Sequence, residues 1–122
     1  MNPLALLEAF AAAWNAHDVD ALLALCTADC VFETAAGPAA HGTRHAGQAA
    51  LRAAFPAAWQ TWPNAQWLQA THVVAGNRGF SEWTFRGTDA GGRETEVRGV
   101  DLFELRDGLI ARKDTFRKQR SG

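Results

Sequence analysis

The chain has no tyrosine, only two cysteines and one methionine. It also has no apolar run near the roughly 20 residues that cross a bilayer. Each shortage excludes something. Without tyrosine there is no phenolic acid, so an oxyanion would need a protonated carboxyl, a histidine, an arginine or a backbone amide. Cys26 and Cys30 cannot make a disulfide framework. Their i, i+4 spacing would serve a metal only with further ligands, and small buried hydrophobes are the plainer reading. His17, His41, His45 and His72 show no ligand spacing within a predicted helix, so no metal or cofactor is expected. An excess of one charge sign is lacking too. The formal net charge is −1, which makes no electrostatic case for nucleic acid or an anionic membrane. Arg117, Lys118 and Arg120 read as a solvated tail. The opening MNPLALLEAFAAAW has no basic n-region and carries Glu8 in its apolar stretch. A secretory signal is therefore not expected, and the expected compartment is the cytoplasm.

What is present is apolar and ring-rich. Of 122 residues, 48% are apolar, with five tryptophans and seven phenylalanines, enough for a single domain over 1–122 with its own core. Leu4, Leu7, Phe10 or Ala11, and Trp14 recur at helical spacing after Asn2-Pro3. Asp18 is the expected N-cap of a second helix with Val19, Leu22, Leu23 and Cys26 on its apolar stripe. Cys30 to Thr34 reads as a strand, Ala35 to His41 as a loop, and His41 to His45 as an extended piece. A third helix starts near Gly47, and Pro56 should kink or split it. From Ala65 the period changes to two. Strands are expected over Trp67–Val74, Phe80–Arg86, about 93–105, and then to about Lys118. Helices first and a strand meander last argue for α+β, with helices on one face of a curved antiparallel sheet.

The stretch from Val97 to Phe116, VRGVDLFELRDGLIARKDTF, organises the rest. Asp107-Gly108 between alternating runs is a hairpin signal, because a type I′ turn needs positive φ at both central residues. A straight count from that turn sets Arg106 opposite Leu109, Phe103 opposite Arg112, and Asp101 opposite Asp114. The two aspartates would share a face with Val97, Phe103, Ile110 and Phe116. Like charges in register destabilise a sheet. Either the pair sits in a functional pocket, or a one-residue bulge or a solvent-facing rim relieves it.

Three segments together, AFAAAWNAHDVDALLALCTADCVFE, HGTRHAGQAALRAAF and the hairpin, resemble the nuclear transport factor 2-like superfamily and, within it, bacterial SnoaL-like domains. The resemblance covers nearly the whole chain. It implies a cone-shaped α+β roll, three N-terminal helices on a curved antiparallel sheet over a central pocket, and a homodimer. It also implies residue roles. Asp101, in Asp101-Leu-Phe103, matches the strand aspartate of ketosteroid isomerase. That enzyme's tyrosine corresponds to Phe10 and its general base to Thr34. Asp114, in Asp114-Thr-Phe116, is similar in context to an acid of limonene epoxide hydrolase, whose other acid and arginine fall on Ser81–Phe85, where no Arg-x-Asp stands.

The expected site is therefore a pocket for a small hydrophobic molecule. Asp101 and Asp114 are its candidate catalytic pair. Phe10, Trp14, Phe32, Thr34, Trp83, Phe103, Arg112 and Phe116 are its candidate substrate-binding residues. Two close carboxyls in an apolar site cannot both ionise cheaply, so one pKa rises and acid–base chemistry of isomerase, cyclase, dehydratase or hydrolase type becomes available. Arg112 could instead pair with one acid and favour recognition. The alternative is a non-catalytic ligand-binding or dimerisation module.

Overall fold

A computed structural model describes residues 1–121. The elements run α1 (Pro3–Asn15), α2 (Val19–Ala24), β1 (Cys26–Glu33), β2 (Arg44–Ala46), α3 (Gln48–Ala54), α4 (Ala57–Thr61), β3 (Gln66–Ala75), β4 (Arg78–Thr88), β5 (Glu94–Arg106) and β6 (Leu109–Arg117). Six strands form one curved sheet in the order β2-β1-β6-β5-β4-β3. Every pair is antiparallel except β1 with β6. The α+β roll expected from the sequence is the fold observed. None of the described helices is long and apolar enough to cross a membrane.

Local chemistry sets the helix boundaries. Asn2 caps α1 by accepting the Ala5 N–H at 2.7 Å, and Asp18 caps α2 by accepting that of Ala21 at 3.0 Å. The buried stripe of α1 is Leu6, Leu7, Phe10, Ala13 and Trp14; Leu4 is exposed. Pro56 splits the third helical segment into α3 and α4, since its ring cannot continue the hydrogen-bond ladder. Cys26, expected on the stripe of α2, is instead the first residue of β1, and both cysteines are buried and free. Asn15 ties α1 to the sheet: its Oδ1 accepts from the Trp67 N–H at 2.7 Å, and its Nδ2 donates to the Trp67 carbonyl at 3.0 Å. His17 is structural. Its ring nitrogen lies 2.7 Å from the Ala65 carbonyl, and it stacks on Trp59.

The last hairpin positions the site. Asp107 and Gly108 both have positive φ, 55° and 75°, as a type I′ turn requires. Arg106 faces Leu109 as counted. A bulge then follows: Leu105 pairs with Ile110, but Glu104 pairs with Arg112, leaving Ala111 unpaired. From there the register is one residue off the straight count. Phe103 faces Lys113, Asp101 faces Thr115, and Leu102 faces Asp114. A one-residue slip sends every later side chain to the other face. Asp114, Arg112 and Phe116 therefore leave the inner face, and Lys113, Thr115 and Arg117 take their places. Because β1 is aligned on β6, its own register with β6 shifts between Cys26 and Val31. That leaves Phe32 beside Lys113 and Glu33 beside Asp114.

Candidate functional site

Helices α1, α3 and α4 cover the inner face of the sheet but do not fill it. A cavity of about 380 Å³ remains, within the range of small-molecule sites. Its walls are mostly apolar and rich in rings: Phe10 and Trp14 from α1, Phe32 from β1, Phe55, Trp62 and Trp67, and Trp83 and Phe103 from β4 and β5. The rings brace one another. Phe10 meets Trp14, Phe55 and Phe103 edge-on at 6.2, 6.4 and 5.7 Å, geometries that aromatic quadrupoles favour.

One buried polar cluster interrupts this wall. Asp101 is 7% exposed and Lys113 is 5% exposed. The Lys113 ammonium donates to Asp101 Oδ1 at 2.9 Å, and the Thr115 hydroxyl donates to the same oxygen at 2.5 Å. The Trp83 indole N–H donates to Oδ2 at 3.0 Å. Lys113 also donates to Thr115 Oγ1 at 2.6 Å. Its ammonium lies 5.0 Å from the Trp14 ring centroid and 4.5 Å from that of Phe32, where ring faces attract a cation. A buried charge pair persists only when its hydrogen-bonding capacity is met, and three donors meet that of Asp101.

Gly99 makes the cluster geometrically possible. It pairs with Trp83 across β4 and β5. A Cβ at Gly99 would lie 2.4 and 2.5 Å from atoms of the Trp83 ring. The bare backbone lets the indole lie across β5 and reach Asp101 two residues on.

The expected aspartate pair does not exist as a pair. Asp101 and Asp114 point to opposite faces, because the Ala111 bulge shifts the register. On the outer face Glu33, 1% exposed, is clamped by two arginines. Oε2 accepts from Arg44 at 2.7 and 3.0 Å, and Oε1 accepts from Arg112 at 2.8 Å. Burial opposes ionisation of Glu33, yet the hydrogen bonds from Arg112 and Arg44 outweigh it and hold its carboxyl below the ordinary value. The same bonds raise the Arg112 pKa further. Asp114, 3.4 Å from Arg112, goes the other way. Burial pushes its pKa up, and Arg112 only partly opposes this. Arg112 thus pairs with Glu33, Glu104 and Asp114 on the face away from the cavity.

Of the expected lining, Phe10, Trp14, Phe32, Thr34, Trp83 and Phe103 border the cavity together with Asp101. Arg112, Asp114 and Phe116 do not; Phe116 is 51% exposed. The straight count missed Lys113, Thr115 and Arg117, and Ser81 on β4 was not expected either; all four border it. The like-charge clash was the available signal. A bulge that replaces Asp114 by Lys113 beside Asp101 turns repulsion into attraction.

Residues 7–113 match the family model described as SnoaL-like domain, so Thr115 and Arg117 lie just past the matched span. A sequence search found no match among curated proteins. Solved structures match over most of their length. A protein proposed to be a polyketide cyclase, from Xanthomonas campestris pv. campestris, is 25% identical with a TM-score of 0.81, covering 92% of this chain and 87% of that one. An NTF2-like protein of unknown function from Mesorhizobium loti is 31% identical with a TM-score of 0.75, covering 94% and 89%. A hypothetical protein of ketosteroid isomerase-like fold from Catenulispora acidiphila DSM 44928, in complex with trimethylamine, is 20% identical with a TM-score of 0.81, covering 95% and 86%. With the roll, the helix-capped cavity and a family match over 7–113, this chain belongs to the SnoaL-like domain family of the NTF2-like superfamily.

Proposed function

We propose that the chain binds a small, largely apolar molecule in the aromatic cavity and presents the Lys113 ammonium to an oxygen of that molecule. The observation that carries this reading is the buried Asp101–Lys113 pair, set in a mostly apolar wall. Two hydrogen-bonding positions of the ammonium are taken, by Asp101 and Thr115. An ammonium has three donors, so one is left for a ligand. A carbonyl oxygen taking that donor is polarised, and the C–H beside it becomes more acidic. Turnover at this site is proton transfer next to the carbonyl: the proton leaves carbon for the Asp101 carboxylate, which borders the cavity, and the resulting enolate oxygen is held by Lys113. Isomerisation and cyclisation share that step, and one structural relative is proposed to be a polyketide cyclase. Another relative holds trimethylamine. Here Lys113 itself occupies the ring faces of Trp14 and Phe32, which disfavours an amine ligand.

A second reading, binding without turnover, is favoured by the three donors on Asp101. A carboxylate so engaged is a weak base. One experiment separates the two. A thermal-shift screen of cyclic ketones, epoxides and terpenoids selects a ligand, and its α-protons are then followed by NMR in D₂O. Exchange in wild type that is lost in Asp101→Asn/Lys113→Met supports catalysis. Binding without exchange supports the binding module. A screen with no stabilising compound sinks both.

We also propose a homodimer through the outer face of the sheet, where Val100 and Leu102 are half-buried and Phe116 is exposed. An exposed apolar patch suits a second copy. Sedimentation showing a monomer at high micromolar concentration would refute it.

A further inference from the structure

The polar groups of the cavity are unbalanced. Its one carboxylate, Asp101, is engaged by three donors. The hydroxyls of Thr34, Thr115 and Ser81 are engaged within the protein as well. The Thr61 hydroxyl and the His45 ring also border the cavity and can donate or accept, but groups that only donate are in surplus. Lys113 has a proton to spare, and Trp62 Nε1 is buried without a partner. Arg117, expected to belong to a solvated tail, is exposed, yet as the last residue of β6 it also borders the cavity. Its guanidinium lies 5.6 Å from the Trp62 ring centroid and 5.8 Å from that of Phe85. Desolvation lowers its pKa. Among the described residues no carboxylate forms a salt bridge with it. The charged groups of the lining are thus two cations and one anion.

We infer that the ligand is an anion: a carboxylate on an apolar, ring-bearing body, held at the rim by Arg117. This rests on the reading of the cavity as a ligand site and adds the ligand's charge and its orientation. Arg117 presents a planar fork that matches a carboxylate, and stacking on Trp62 and Phe85 orients that fork. The deep end keeps Lys113 for a second oxygen. Lys113 and Arg117 are four residues apart on one face of β6, roughly 13 Å between Cα atoms at the rise of a strand. An elongated molecule of two or three fused rings spans that distance. A cationic amine meets Lys113 and Arg117 as like charges and is excluded.

Tryptophan fluorescence titration tests this with 2-naphthoate, methyl 2-naphthoate and benzyltrimethylammonium on wild type, Arg117→Gln and Lys118→Gln. Lys118 is exposed and outside the cavity, so its variant controls for net charge. Wild type should bind 2-naphthoate about tenfold more tightly than the ester, the scale of one charge-assisted hydrogen bond. Arg117→Gln should erase that preference and Lys118→Gln should keep it. In wild type, added salt should weaken the acid and spare the ester. Equal binding of acid and ester or tighter binding of the ammonium overturns the anion assignment, and a preference that survives Arg117→Gln overturns the placing of the carboxylate on Arg117; each leaves the cavity a ligand site. Failure of all three probes up to millimolar concentration overturns the assignment and the cavity reading together.

Discussion

At the scale of single residues, the site depends on Lys113. Removing it leaves Asp101 charged and buried among rings. Breaking a buried pair in this way costs about 3–5 kcal/mol. Lys113→Met should therefore lower unfolding free energy by roughly that much, and Asp101→Asn should be destabilising too, because it strands a buried ammonium. The double variant Asp101→Asn/Lys113→Met should lose clearly less than the two single losses combined. A denaturant double-mutant cycle reads the coupling directly, and additive losses would show that the two groups do not act as a pair. Glu33 and Asp114 set a pH dependence on the other face. The native pKa of Glu33 lies below its ordinary value of 4.5. Its contribution is full above that value and is lost as pH falls through the native one. Asp114 has a native pKa above its ordinary 3.8, so its effect has the opposite sign: stability falls as pH rises between the two values. Urea unfolding from pH 3 to 7 should show Glu33→Gln about 3 kcal/mol below wild type at pH 7 and converging on it in acid. Asp114→Asn should remove the loss that sets in as wild type rises past pH 3.8.

At the scale of elements, one extra residue in β6 decides which side chains meet. Deleting Ala111 would remove the unpaired residue and leave the later pairing in place: Glu104 would still face Arg112, and Asp101 would still face Thr115. We expect that deletion to cost no more than about 1–3 kcal/mol, because no buried and exposed faces are exchanged. A larger loss by calorimetry, with Lys113 driven to the outer face, would contradict this account of the bulge. The pairing of β4 with β5 makes a second demand. Gly99→Ala should displace the Trp83 indole, break its bond to Asp101 and cost about 1–3 kcal/mol as overpacking. Trp83→Phe in the same background should recover part of that loss, since it removes the ring atoms the new Cβ meets. The Phe116 carbonyl, 2.7 Å from that Cβ, keeps the recovery incomplete.

At the scale of the molecule, the roll maintains an open volume that packing alone would close. Ala54 and Ala58 face the cavity from α3 and α4 where a larger side chain would fill space. Ala54→Leu should raise the midpoint of thermal unfolding and reduce the further rise that a bound ligand produces, a trade expected where function needs space. An Ala54→Leu variant that still shows the full ligand-induced shift would place the ligand elsewhere.

Local rules were enough for much of this architecture. Caps at Asn2 and Asp18, the break at Pro56, the change of period after Ala65 and the Asp107-Gly108 turn depend on neighbours within a few residues, so they can be read along the chain. So can the inward faces of Phe10, Trp14, Phe32 and Phe103, because apolar periodicity states which face is inward; the pocket they border was an implication of the family resemblance. The partner of Asp101 could not be read this way. It depends on whether Ala111 pairs or bulges, and that is settled by how β6 aligns at once with β5 and with β1, a strand about eighty residues earlier. A register error of one residue leaves every local propensity unchanged and reverses every face. The sequence therefore determined which faces of α1 and β5 are apolar, while only the assembled sheet decided that those faces enclose a cavity and that Lys113, and not Asp114, stands beside Asp101.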